Sequence, residues 1–160
     1  MDVRPVQLED AVAVAGLLEE LGYPVSAARM TERLEERAPS QDDAAWVLAH
    51  GPGGPDGDDT IVGFAAGHVF QPYELDRPVA EITALVVAPA NRRAGSATAL
   101  VSAVEQWASA RSCLRITVAS SLRREGAHAF YARLGYRQLA KKFEKALDRR
   151  SPDRPLRTST

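Results

Sequence analysis

The chain has 160 residues, 45% hydrophobic and 26% charged, with a formal net charge of −1 at pH 7. That length suggests one domain with a sizeable core, and the near-zero charge argues against an electrostatic draw to nucleic acid or to a membrane surface. Cys113 is the only cysteine, which excludes an internal disulfide and a cysteine-rich zinc site. No apolar run is long enough to span a bilayer, and the opening Met-Asp-Val-Arg lacks the apolar stretch of a secretory signal; a cytoplasmic protein is expected.

Val3 to Val6 predicts a short first strand. Leu8-Glu9-Asp10 then opens a helix, with acids in its first turn where the dipole favours them. Val14, Leu17, Leu18 and Leu21 recur at helical spacing, and Gly22 with Pro24 stops the run. Ser26 reads as the next N-cap, with Val25 and Met30 placed as a hydrophobic staple, and that helix extends to about Arg37. Ala44 to Ala49 and Ile61 to Phe70 predict two strands, joined by a Gly/Pro/Asp-rich hairpin loop whose composition implies mobility. Gln71 to Pro78 is a second loop, and Val79 to Val87 a branched-residue strand that Pro89 closes.

Ala97, Leu100, Val101, Val104, Trp107 and Ala108 form the apolar stripe of a long helix. Leu114, Ile116 and Val118 alternate as a strand; Cys113, just before it, reads as a small core residue rather than a nucleophile. Gly126 to Leu134 predicts a helix with Gly135 as its C′ stop, and Tyr136 to Leu147 one or two closing strands. From Asp148 to Thr160 the chain is Arg-, Pro- and Ser-rich without periodicity, so a disordered tail is expected after a domain at 1–147. The order of elements predicts an α/β fold, a single domain with a mixed β-sheet flanked by helices on both faces.

Two segments carry the chemistry. In the stretch from Ala80 to Ala97 a strand ends, a short turn follows, and Gly95-Ser96-Ala97 opens the long helix. Small residues there allow a ligand close to the backbone, and the unpaired N–H groups of the first helical turn, with the positive dipole end behind them, suit a pyrophosphate. Arg92 and Arg93 add positive charge nearby; an ordinary tight strand-to-helix turn has the same spacing. The second segment runs from Arg124 to Tyr136. On a helix, Ala127, Phe130 and Leu134 share an apolar face, and Arg124, His128 and Tyr131 share its neighbour. His128 reads as a surface helix residue, and no metal site is expected.

Together the segments resemble the GNAT superfamily of N-acetyltransferases. Arg92-Arg93-Ala94-Gly95-Ser96-Ala97 is similar to that family's acyl-CoA loop, and Phe130-Tyr131-Ala-Arg-Leu-Gly135-Tyr136 to its later Phe-Tyr-x-x-x-Gly-Phe/Tyr helix end, in the family's order and over roughly Val3 to Leu147. The resemblance implies acetyl-CoA as cosubstrate and a primary amine of a small molecule or protein as acceptor. It implies neither nucleic acid nor membrane as partner, and a monomer or homodimer. Backbone amides from Arg93 to Ala97, with Arg92 and Thr98 beside them, would hold the pyrophosphate. Leu85, Val86 and Val87 would carry the pantetheine arm, with Leu85 and Val87 pairing to it as to a strand. Arg93 stands where the family often has Gly, and Arg124, a further cofactor contact, where many members have Asn.

An alkylammonium acceptor must lose a proton before it can attack. The resemblance places the general base at Glu81; a partly exposed edge glutamate that only attracts the cationic acceptor is the other reading. It implies the Leu85 backbone N–H as the oxyanion donor and Tyr131 as the acid that protonates the leaving thiolate, since a phenol of pKa about 10 stays protonated at pH 7. A non-catalytic acyl-CoA-binding or sensing module is the alternative function.

Overall fold

In the computed structural model the described residues are 1–51, 60–92, 94–119, 125–139, 145 and 147. The chain divides into two compact units, Met1–Val118 and Ala119–Thr160.

The first unit holds β1 (Asp2–Pro5), α1 (Ala11–Leu21), α2 (Ala27–Arg37), β2 (Asp43–His50), β3 (Thr60–Phe70), β4 (Val79–Val87), α3 (Ser96–Ala110) and β5 (Arg115–Val118). The strands form one sheet in sequence order. β1 to β4 run antiparallel and β5 pairs parallel to β4, which requires a crossover that α3 supplies. The sheet is mixed, as the sequence predicts.

Alternation along the strands assigns the two faces. Val47, Phe64 and Val86 pack with Val14, Leu17, Met30 and Leu34 under α1 and α2. The alternate residues meet α3. A Cβ on Gly63 would come within 2.9 Å of Leu100, and one on Gly67 within 2.9 Å of both Trp107 and Val104. These two glycines are what lets α3 lie close to the sheet. Helices therefore cover both faces.

Local chemistry sets the helix ends. Ser26 Oγ accepts the Arg29 N–H at 3.2 Å, and Val25 and Met30 join the same core cluster, as the cap-and-staple reading expects. Gly22, at φ 98°, closes α1 as the left-handed C′ residue, with its own N–H on the Glu19 carbonyl and that of Tyr23 on the Leu18 carbonyl. The start of α1 differs from expectation. Leu8–Asp10 is a separate 3₁₀ turn, and Asp10 is 6% exposed. Its carboxylate takes a two-pronged contact from Arg4, 2.8 Å on each oxygen, and the Gln7 N–H at 2.8 Å. Burial works against ionisation, but the Arg4 hydrogen bonds, the Gln7 amide and the Arg4 charge together hold the Asp10 carboxyl below its ordinary range. Asp10 ties β1 to α1; it is not a dipole partner on a helix surface.

The second unit contains α4 (Glu125–Arg133). Gly135 sits at φ 88°, with its N–H on the Ala132 carbonyl and the Tyr136 N–H on the Tyr131 carbonyl; this pair of hydrogen bonds is a Schellman end at the predicted stop. The expected closing strand is corrected in its described part. Residues 136–139 lie in no ladder, and Tyr136 is engaged in the helix cap. The loop 52–59, Arg93, Arg124, residues 140–144 and the tail 148–160 fall outside the described residues.

Candidate functional site

The strand before the loop opens the site. β4 pairs with β5 only from Val79↔Arg115 to Ile82↔Val118. On its other edge β4 pairs with β3 along its whole length, with a bulge: Gly67 faces Ile82 and Ala66 faces Ala84, so Thr83 is the extra residue. The bulge bends β4 where its pairing with β5 ends, and no strand among the described residues pairs with that edge from there to Val87. The hydrogen-bonding parity of this free stretch is fixed at its far end. The Ala88 N–H donates to the Val62 carbonyl, so Ala88 and Val86 turn their polar groups toward β3. Leu85 and Val87 then turn theirs the other way, toward the opening. The Val87 carbonyl does so demonstrably, accepting from Arg92 Nε at 2.9 Å.

At the end of this edge the chain makes a 3₁₀ turn at Pro89–Asn91 and enters α3 through Gly95, at φ 81°. That φ is the left-handed region, where a Cβ costs about 1–2 kcal/mol. The helical ladder begins at the Ala99 N–H, which donates to the Gly95 carbonyl. The N–H groups of Ser96, Ala97 and Thr98 therefore precede it, and the N-cap residue Gly95 has no side chain to cap them. The Ser96 hydroxyl points back, donating to the Asn91 carbonyl at 2.9 Å, and the residue is 2% exposed. It braces the turn and leaves an anion to the backbone. Arg92 is a strut as well: besides Val87 it reaches Glu20 of α1, 3.8 Å away. An uncapped first turn behind an open Gly95, with no atom within 4 Å of a Cβ built there, fits a phosphate group.

Glu81 is half-buried on β4 beside the bulge. Its register neighbours are His68 on β3 and Thr117 on β5, and His68 is opposite Asp43 on β2. Asp43, His68, Glu81 and Thr117 thus form one row across four strands, on the face that carries α1 and α2. His68 Nδ1 lies 3.1 Å from Asp43 Oδ1, and Asp43 also takes the Ser40 hydroxyl at 2.8 Å and Arg37 at 3.2 Å. Burial raises the Asp43 carboxyl, but Ser40, His68 and Arg37 outweigh it and keep it below the ordinary value. Sequence reading singles out neither Asp43 nor His68. They are 25 positions apart, and only the register of β2 on β3 brings them together.

Tyr131 lies on α4 with its ring 5.1 Å from Phe130 and 5.4 Å from Tyr136, so three aromatic rings meet at that helix end. Cys113 is half-buried against the Val69–Ala80–Ala108 cluster. Burial pushes its thiol above the ordinary value, though Arg111 and Arg77 pull the other way, which makes it a poor nucleophile. Among the described residues no cluster could hold a metal ion, and no helix is long and apolar enough to cross a membrane.

Comparison with known proteins bears on this geometry. The profile of the Acetyltransferase (GNAT) family matches residues 14–136. Among solved structures, a Trypanosoma brucei acetyltransferase superposes with a TM-score of 0.75 at 25% identity, over 91% of this chain and 99% of that one. The aminoglycoside antibiotic 6′-N-acetyltransferase AAC(6′)-IG of Acinetobacter haemolyticus superposes at 0.74 with 21% identity, over 92% and 100%. AAC(6′)-Iy, solved in complex with the bisubstrate analog CoA-S-monomethyl-acetylneamine, does so at 0.75 with 19% identity, over 91% and 96%. No curated protein matches the chain in sequence.

Proposed function

The chain belongs to the acetyltransferase (GNAT) family and is an acyltransferase with acetyl-CoA as donor; from that premise we propose that it moves the acetyl group directly onto a primary amine. The observation that carries the proposal is the opening beside β4. There the outward backbone of Leu85 and Val87 leads to the uncapped first turn of α3, and Glu81 stands at its other end. In this reading Leu85 and Val87, with Val86 between them, line the pantetheine arm, and the amides from Arg93 to Ala97, flanked by Arg92 and Thr98, take the pyrophosphate. Arg124 is a further cofactor contact.

The chemistry follows from charge. Glu81, a carboxylate, takes the proton that blocks the lone pair of an ammonium acceptor. The neutral nitrogen attacks the thioester carbonyl, and the Leu85 N–H donates to the oxygen as negative charge develops on it. The carbon–sulfur bond breaks, Tyr131 gives its phenolic proton to the thiolate, and the second proton of the nitrogen restores the Tyr131 phenol. No acyl-enzyme is needed, in keeping with the raised Cys113 thiol. The aminoglycoside activity of two structural neighbours makes amino sugars a first acceptor class to try, alongside polyamines and lysine side chains.

The test is thiol release from acetyl-CoA with kanamycin, spermidine and a lysine peptide, followed by pH–rate profiles of wild type, Glu81→Gln and Tyr131→Phe. Each variant is expected to lose about a hundredfold to ten-thousandfold in turnover. Glu81→Gln should partly recover at high pH, where more acceptor is already neutral. Parallel profiles for Glu81→Gln and wild type would overturn the base assignment, and a wild-type rate for Tyr131→Phe the acid assignment. Binding of acetyl-CoA without thiol release from any amine would favour a binding module.

A further inference from the structure

Acetylation of an ammonium by a thioester leaves a proton over. The nitrogen gives up two, the departing thiolate takes one, and the other must reach solvent each turnover. If Glu81 is the base, as proposed above, it has to hand that proton on before it can act again. The row across the sheet offers a recipient. His68 is the direct register neighbour of Glu81, which puts their Cβ atoms about 5 Å apart on the same face. A carboxylate only accepts hydrogen bonds, so His68 Nδ1, 3.1 Å from Asp43 Oδ1, carries a hydrogen. The neutral ring then keeps its lone pair on Nε2. Nδ1 is committed toward β2, and the neighbour on the β4 side is Glu81. The His68 side chain is 41% exposed, so a proton that reaches it can leave to water.

We propose that His68, oriented by Asp43, is the proton carrier that empties Glu81. The step is a transfer from the Glu81 carboxylic acid to His68 Nε2, directly or through one water. It restores the carboxylate and makes an imidazolium, which then gives its proton to solvent. Asp43 stabilises the imidazolium and holds the ring. Arg37 and Ser40 keep Asp43 ionised and in place. Among the described residues the charged neighbours of the ring on this row are Asp43 from β2, with Arg37 of α2 behind it, and Glu81 from β4. Thr117, the last member of the row, donates its hydroxyl to the Ala80 carbonyl at 3.3 Å and takes no part in the transfer.

The test uses whichever of the three amines supports thiol release. His68→Asn keeps a side-chain N–H for Asp43 but cannot accept a proton on the far side. It should fold as wild type and keep its KM for acetyl-CoA while kcat falls about a hundredfold in dilute buffer. His68→Ala should fall similarly and recover as imidazole is added, whereas Glu81→Gln should not respond to imidazole. A wild-type rate for His68→Asn beside a slow Glu81→Gln overturns the relay and leaves Glu81 as base. A wild-type rate for Glu81→Gln overturns the base assignment beneath it. Nitrogen-15 NMR of the free protein, which needs no acceptor, should show the Nδ1–H tautomer of His68, lost in Asp43→Ala. An Nε2–H tautomer in wild type would overturn the proposal.

Discussion

Gly95→Asp separates cofactor recognition from folding. Gly95 holds φ 81°, so any side chain there costs about 1–2 kcal/mol of backbone strain. No further clash adds to this, because a Cβ at that position meets no atom within 4 Å. A carboxylate near the first turn of the 15-residue helix α3 recovers about 0.3–1 kcal/mol through the dipole. The net loss is then about 1 kcal/mol, small against the several kcal/mol that stabilise a domain. The same carboxylate stands before the Ser96, Ala97 and Thr98 amides and repels a pyrophosphate. Acetyl-CoA at a hundred times its Kd stabilises the wild-type protein by about 2.7 kcal/mol, which thermal melting reads as an upward shift. Gly95→Asp should melt slightly lower without ligand and show no shift with it. Gly95→Ala, with the strain but not the charge, should keep most of the shift. An undiminished shift in Gly95→Asp would refute the placement of the phosphates at this turn.

Two further outcomes follow from packing and charge. Gly67→Ala forces a methyl to within 2.9 Å of Trp107 and Val104, and chemical denaturation should show a loss of about 1–3 kcal/mol from overpacking. Asp10→Asn takes the negative charge out of the two-pronged Arg4 contact and should cost about 1.5–3 kcal/mol. Because the folded Asp10 carboxyl is depressed, its stabilisation is complete above the ordinary carboxylate range of about pH 4. It is lost as pH falls through the lower folded value. Melting curves across acidic pH should therefore show a slope in wild type that is shallower in Asp10→Asn.

The elements are legible wherever a local rule governs them. The Val25–Ser26–Met30 staple, the Gly22 and Gly135 stops and the α3 stripe follow from spacing alone, and all occur. What escapes are features that need separate elements to meet. Gly63 and Gly67 read as neutral small residues until α3 lies on them. Thr83 looks like any strand residue, and its status as the bulge depends on the count against β3. Asp10 reads as a helix-start acid, and only the approach of Arg4 makes it a buried ion pair. Tyr136 illustrates the opposite error: its local propensity is for strand, but the cap of α4 claims its N–H first.

The same contrast decides which half of the proposed site a sequence can announce. The donor half is built from backbone: the outward groups of Leu85 and Val87, the turn at Gly95, and the amides behind it. Such a site constrains side chains only where they would obstruct, which leaves a short contiguous trace such as Gly95-Ser96-Ala97 and lets the rest vary. The acceptor half, under the proposed mechanism, is built from the side chains of Asp43, His68 and Glu81. They are contributed by three strands and aligned only by register. A one-residue slip of β3 against β4 would turn His68 to the α3 face while leaving every local motif intact. The bulge at Thr83 therefore matters twice. It lies where the described pairing of β4 with β5 ends and the donor would enter, and it sets the parity that keeps Glu81 on the face of His68 while Leu85 directs its N–H into the opening.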